Sequence, residues 1–94
     1  MIDDLALAAA RQADLLLASA RSRGNDRWAH YLEHIPDLLR DGTLNELRAV
    51  SRRARAAYGP KDSIREALPA DLTEPFLEAL DRMIKALARD ALSN

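Results

Sequence analysis

The sequence predicts an all-α protein, an antiparallel bundle of four main helices plus one short helix, and three observations support this prediction. Apolar residues recur at helical spacing along most of the chain, and no β-alternation longer than chance occurs. Capping residues and the three glycines divide the chain into segments with short connections, which favours antiparallel neighbours. Because 94 residues suffice for one modest core, we expect a single helical domain over residues 1–94.

The first two helices are predicted from an alanine-rich stretch and from a capped segment that contains a proline. The first helix follows two acidic residues and ends at the basic residues before Gly24. Its wide apolar arc favours a central position in the bundle, with a subunit contact as the alternative. Asn25 caps the second helix, which is predicted to reach residues 41–42 with a kink at Pro36. The buried stripe of this helix is expected to contain Trp28, Leu32, Ile35 and Leu39.

The third helix and the short helix each begin with a capping-box sequence. Thr43–Glu46 opens the third helix, which Gly59–Pro60 closes. Ser63–Glu66 opens the short helix, which Pro69 limits to about one or two turns. The side of the third helix expected to face the core contains Leu44, Leu47, Val50, Ala54 and Tyr58.

The last helix is predicted to open at Thr73, with Pro75 in its first turn, and to reach Leu92. At about 100° per residue its apolar and charged residues separate onto two faces. The apolar face contains Phe76, Leu80, Met83, Ile84, Leu87 and Ala91.

The composition excludes several classes of protein. The chain contains no cysteine, which excludes disulfides, thiol nucleophiles and cysteine-ligated metals. A net charge of −1 and 48 % hydrophobic residues are typical of neither a disordered chain nor a general nucleic-acid binder. The N-terminal acids and the lack of a long apolar run predict a cytoplasmic protein with no membrane partner.

Residues 30–34 read H-x-x-E-H, the ligand and general-base order of one class of zinc peptidases. His30 and His34 lie roughly 120–160° from the centre of the buried stripe, so we expect both to face water. A catalytic zinc site also needs a third protein ligand and a walled cavity. We therefore predict no cofactor and no catalytic metal, with adventitious metal binding as the alternative.

Charge is unevenly distributed along the chain. Residues 43–60 carry four arginines, at positions 48, 52, 53 and 55, and one acid. Guanidinium groups match carboxylate and phosphate oxygens, so this stripe is interpreted as a solvated face, a protein contact or, less readily, a nucleic-acid contact. The second helix presents the complementary set of histidines and acids. The predicted partner-binding residues are His30, Glu33, His34, Asp37, Arg48, Arg52 and Arg55.

Three stretches carry a resemblance to a known family: G-N-D-R-W-A-H-Y-L-E, L-L-R-D-G and A-Y-G-P-K-D-S-I, within residues 24–68. The residues that match are Trp28, Ala29, Leu32, Glu33, Ala57, Tyr58, Gly59, Ser63 and Ile64. With them the chain resembles a family of small bacterial proteins defined only as a domain of unknown function. That family has a glycine-rich segment where this chain has Pro60, Lys61 and Asp62. The resemblance implies a bacterial cytoplasmic protein and supplies no activity.

The sequence favours a binding role over a catalytic one, because it offers no nucleophile and no phosphate-cradling glycine loop. We expect a protein that is not an enzyme, most specifically an immunity- or antitoxin-type protein that binds and inhibits a bacterial toxin. One alternative is a homo-oligomeric adaptor, possible as a homodimer through the first helix. The other alternative is a helical nucleic-acid-binding regulator, which the sequence pI of about 6.1 disfavours.

Overall fold

The computed structural model describes residues 2–93 and confirms the all-α fold. Over this range the chain forms helices and no strand, within a body of 43 × 26 × 19 Å. No helix of this part of the chain is long and apolar enough to cross a membrane. The helices are α1 (Ile2–Ser22), α2 (Asp26–Leu32), α3 (Ile35–Asp41), α4 (Leu44–Ala56), α5 (Ile64–Ala67) and α6 (Ala70–Ser93).

Helix α1 occupies the centre of the bundle, as its wide apolar arc predicts. It packs against α2, α3 and α6, whereas α4 packs against α3 and α6. Small side chains dominate its buried surface, which lets neighbouring backbones approach closely, and Leu7 and Leu15 remain exposed on its outer side. Its buried residues are Ala6, Ala9, Ala10, Ala13, Leu16, Leu17 and Ala20.

The second predicted helix is broken rather than kinked. Helix α2 ends at Leu32, and α3 begins at Ile35 with Pro36 in its first turn. A proline in the helix interior would remove a backbone hydrogen bond, whereas in the first turn its missing N–H has no intrahelical partner to lose. The backbone therefore restarts at His34, whose carbonyl accepts the Leu38 N–H at 3.1 Å. The predicted buried stripe is confirmed, since Trp28, Leu32, Ile35 and Leu39 are all buried.

Helix α4 begins with the predicted capping box. The Glu46 N–H donates to Thr43 Oγ1 at 3.2 Å, and the Thr43 N–H donates to Glu46 Oε1 at 2.9 Å. Leu44 is 45 % exposed, which contradicts its predicted place in the core. The reason is angular, because Leu44 lies about 70° from the middle of the buried stripe. That stripe consists of Leu47, Val50, Ser51 and Ala54.

Helix α6 begins at Ala70, earlier than predicted, so Thr73 is a buried interior residue rather than a cap. The Pro69 carbonyl accepts the N–H groups of Leu72 and Thr73, both at 3.0 Å, and this closes the first turn ahead of Pro75. Ile84 is only half-buried and Ala91 is exposed, so the predicted core face is too wide. The confirmed core residues of this face are Phe76, Leu80, Met83 and Leu87.

A tyrosine joins the ends of α4 and α6. Tyr58 is buried and its hydroxyl donates to the Thr73 carbonyl. The guanidinium carbons of Arg55 and Arg65 lie 5.9 and 5.3 Å from the ring centroid. Arg65 in turn makes two hydrogen bonds to Glu74, at 3.0 and 2.8 Å. This contact fixes the loop that contains α5 against the start of α6.

Candidate functional site

Two grooves run along the two sides of α4. The α3–α4 groove, of about 200 Å³, is lined by His30, Tyr31, His34, Ile35, Leu38, Glu46, Ala49, Val50 and Arg53. The α4–α6 groove, of about 190 Å³, is lined by Arg48, Ser51, Arg52, Ile84, Leu87, Ala88 and Ala91. The buried stripe of α4 faces the core. One flank of the helix therefore lies beside α3 and the other beside α6, and a groove runs along each.

The α3–α4 groove has an apolar floor and a polar rim. Ile35 and Val50 are buried below the floor, and Tyr31 and Leu38 are half-buried at its surface. The rim is exposed and carries groups of both charge signs, namely His30, His34, Glu46 and Arg53. Such a floor binds apolar side chains of a partner. The rim favours partners whose charged groups, next to those side chains, are opposite in sign to its own.

Tyr31 forms a fixed wall of this groove. Its hydroxyl donates to the Arg53 carbonyl, and the Arg53 guanidinium carbon lies 5.2 Å from its ring centroid. The edge of its ring meets Trp28, with ring centroids 5.2 Å apart and planes at 67°. Burial raises the pKa of the Tyr31 phenol, an effect that the nearby Arg53 partly offsets.

The H-x-x-E-H residues do not lie on one continuous helix. His30 belongs to α2, whereas Glu33 and His34 form the turn before α3. His30 Nδ1 lies 3.6 Å from Glu33 Oε2, and the His30 side chain is 87 % exposed. Within residues 2–93 no group of three or more His, Cys, Asp or Glu side chains is arranged to hold a metal ion. That the protein uses no cofactor stays a prediction.

The end of the groove beside the α3–α4 turn is acidic. A cleft of about 530 Å³ there includes Asp37, Asp41 and Glu46, together with His34 and Arg53. Asp37 is 78 % exposed and accepts a hydrogen bond from Arg40 at 3.2 Å. Arg40 also pairs with Asp14 of α1. With three carboxylates against Arg53 and the paired Arg40, this end of the groove still has an excess of negative charge.

The predicted arginines Arg48, Arg52 and Arg55 lie on the other flank of α4 from the predicted histidines. Arg48 pairs with Asp90 at 3.6 Å, and Arg55 pairs with Asp81 at 3.2 Å. Arg52 lines the α4–α6 groove. The structure thus brings His30, His34 and Asp37 to one side of α4 and places the arginine stripe on the other.

Arg53 is the arginine that faces the histidines, although the sequence interpretation left it out of the partner-binding set. On a helical wheel Arg53 falls about 110° to one side of the buried stripe, whereas Arg48 falls about 110° to the other. Glu46, Ala49 and Arg53 share their flank at i, i+3 and i+7 spacing. This spacing is the sequence signal that identifies Arg53 as a groove residue.

In comparisons with known proteins, no family model, no curated protein and no solved structure matches the chain. The resemblance of residues 24–68 to a domain of unknown function stays a prediction. Six of its nine matching residues are buried, so the pattern mainly describes packing. The six are Trp28, Leu32, Ala57, Tyr58, Ser63 and Ile64.

Proposed function

We propose that this protein is a non-catalytic protein-binding module, most specifically a bacterial immunity- or antitoxin-type protein that binds and inhibits a toxin in the cytoplasm. The observation that carries the proposal is the α3–α4 groove, with its apolar floor and its rim of both charge signs. Interfaces of this kind seat an apolar or aromatic anchor in a desolvated centre and use the rim for specificity.

The charges of the groove specify the surface that fits it. Asp37, Asp41 and Glu46 define a negative end, and Arg53 lies on the rim that this end shares with the rest of the groove. The occupant is therefore a toxin surface on which an apolar side chain projects between a basic group and an acidic group. Basic groups meet the carboxylate end, which steers the encounter as well as fixing its orientation.

The aromatic ring of Tyr31 is suited to a binding role. Its hydroxyl donates a hydrogen bond to the Arg53 carbonyl, which ties the side chain to the backbone of α4. Tyr31 therefore supplies a rigid aromatic contact surface of the type that is common in binding sites.

The test is affinity capture from the native host, followed by assay of the captured protein with and without the purified chain. We expect one stoichiometric partner with nuclease, glycohydrolase or other toxin activity, and loss of that activity on binding. A bait with Ala49→Arg, which places a long side chain in the groove, should capture none of it. The matched control Ala18→Arg changes an exposed alanine of α1 and should capture as much as the wild type.

Two results would overturn this proposal. The first is recovery of only the protein itself under conditions in which the bait is folded and soluble. The second is a partner whose activity is unchanged on binding, since inhibition is the defining property of an immunity protein.

One observation favours a second candidate function, a homo-oligomeric adaptor. Leu7 and Leu15, on the outer side of α1, are 39 % and 51 % exposed. A helix face with two exposed leucines can form a symmetric seam between two copies. Light scattering separates the candidates: a dimer that Leu15→Gln converts to a monomer supports the adaptor, and a wild-type monomer excludes it.

A further inference from the structure

A basic cleft lies at the other end of the α3–α4 groove, between α2, α4 and the loop over residues 57–63. Its volume is about 560 Å³, within the range of small-molecule sites. Three cationic side chains line it, against one carboxylate. The lining residues are Arg27, Trp28, His30, Tyr31, Arg53, Ala56, Ala57, Lys61 and Asp62.

The cations of this cleft lack an acidic partner, unlike four other arginines of the molecule. Arg40, Arg48, Arg55 and Arg65 each form an ion pair with a carboxylate. Among the described residues, by contrast, none of the three cleft cations lies within 4.0 Å of a carboxylate oxygen. The three cleft cations are Arg27, Arg53 and Lys61.

Two of the three cations are held in place by aromatic rings. The Arg27 guanidinium carbon lies 5.4 Å from the Trp28 ring centroid, and that of Arg53 lies 5.2 Å from Tyr31. A cation at this distance over an aromatic ring is attracted by the ring, and this attraction does not use the N–H groups that a ligand would bind. Both groups therefore lose less conformational entropy on binding an anion than free arginines would.

We propose that this cleft binds the phosphate group of a small phosphorylated ligand. A phosphate offers three acceptor oxygens to two guanidinium forks and one ammonium, and its two negative charges match the excess positive charge of the cleft. The cleft is larger than a phosphate ion, and Tyr31, Ala56 and Ala57 form an apolar wall for the rest of the ligand. This site goes beyond the proposed toxin binding, because it needs no protein partner.

Asp62 gives the proposal a test that changes charge alone. This residue has φ = 52°, in the left-handed region that Asn and Asp tolerate better than other non-glycine residues. Asp62→Asn keeps that backbone preference and removes the carboxylate that repels a phosphate. We expect it to tighten binding severalfold, whereas Arg53→Gln should weaken binding by about tenfold or more, since it removes a charge-assisted contact.

The experiment uses Trp28 as a built-in reporter, because it is the single tryptophan of the chain and lines the cleft. Its fluorescence is followed while inorganic phosphate or ribose 5-phosphate is added at constant ionic strength, with chloride as the reference salt. A saturable change for both, tighter for the ester, supports a phosphorylated ligand. Saturation by inorganic phosphate alone overturns the small-ligand part of the proposal.

The matched control is Arg52→Gln, which removes the same charge from the adjacent position on the other flank of α4. It should bind as the wild type does. Equal weakening by Arg52→Gln and Arg53→Gln, or a response equal to that of chloride, would overturn the site and indicate general electrostatic attraction. Circular dichroism of each variant verifies that it is folded. Since only the isolated protein is used, the result is independent of whether a toxin partner exists.

Discussion

Both tyrosines are held as neutral phenols, and their titration tests the packing around them. Burial is the main cause that raises the pKa of Tyr58, with Glu74 and Asp81 adding to it and Arg65 and Arg55 opposing it. Tyr31 is shifted in the same direction. At pH 10 we expect the tyrosinate absorbance of the folded protein to be far below half of its maximum, and that of the urea-unfolded protein to be near half.

This shift makes stability depend on alkaline pH in a defined direction. The unfolded chain loses the Tyr58 proton near pH 10, whereas the folded chain keeps it to higher pH. The contribution of Tyr58 is therefore fully present below about pH 10 and is lost as the pH rises further. Tyr58→Phe should lower the free energy of unfolding by about 1–3 kcal/mol at pH 7, because the Thr73 carbonyl loses its donor. If the difference in free energy of unfolding between the wild type and Tyr58→Phe widens above pH 10, this account is contradicted.

The Arg65–Glu74 pair predicts an effect at acid pH. Hydrogen bonds from Arg65 lower the pKa of the Glu74 carboxyl. The contribution of Glu74 to the free energy of unfolding is thus fully present above the pKa that its carboxyl has in the unfolded chain. It is lost as the pH falls through the lower pKa of the folded protein. In urea unfolding, Glu74→Gln should be slightly less stable than the wild type at pH 7 and equal to it near pH 2. The control Glu78→Gln, on the exposed face of α6, should show no such dependence.

At the scale of elements, the join between α3 and α4 depends on Gly42. A Cβ at this position would lie 2.3 Å from the Leu38 carbonyl oxygen, so the backbone would have to shift. Gly42→Ala should lower the free energy of unfolding by about 1–3 kcal/mol in urea denaturation. Gly59→Ala is the control, because its Cβ would meet the Ala56 oxygen at an ordinary 3.6 Å. Equal stability of the two variants would contradict the contact.

Two prolines show how far the sequence determines the elements. The N-terminal caps of α2 and α4, Asn25 and Thr43, were predictable because capping depends on residues that are close in sequence. Pro36 and Pro75 interrupt similar apolar periodicities, yet one begins a new helix and the other lies inside α6. The Tyr58 bond to Thr73 is a contact of this region that the sequence does not predict, since it joins segments far apart along the chain.

The candidate site was predictable in part for the same reason. The exposure of His30 and His34 follows from their angle to the buried stripe. The wheel also separates Arg53 from Arg48, but the partner of Arg48 on α6 depends on tertiary packing. The periodicity of the sequence therefore indicates on which face of a helix a residue lies. Only the folded structure shows which arginines form ion pairs and which do not.

At the scale of the whole molecule, one core positions both candidate sites. The buried residues form one cluster that extends through every helix, so α2, α3 and α4 hold their relative positions without a ligand. A surface fixed in this way loses little conformational entropy when it binds a partner, which favours tight binding. The α3–α4 groove and the basic cleft share Tyr31 and Arg53, so a bound phosphate would reduce the positive charge of the groove rim.

The most direct test of the binding account is calorimetric titration of the captured partner with three arginine variants. Ala49→Arg blocks the α3–α4 groove, Ala88→Arg blocks the α4–α6 groove, and Ala18→Arg changes α1; all three alanines are exposed and helical. We expect Ala49→Arg to weaken binding by about a hundredfold or more, the size of an interface hot spot, and the other two to bind as the wild type does. Unchanged binding by Ala49→Arg, or loss of binding only in Ala88→Arg, would contradict the assignment of the α3–α4 groove.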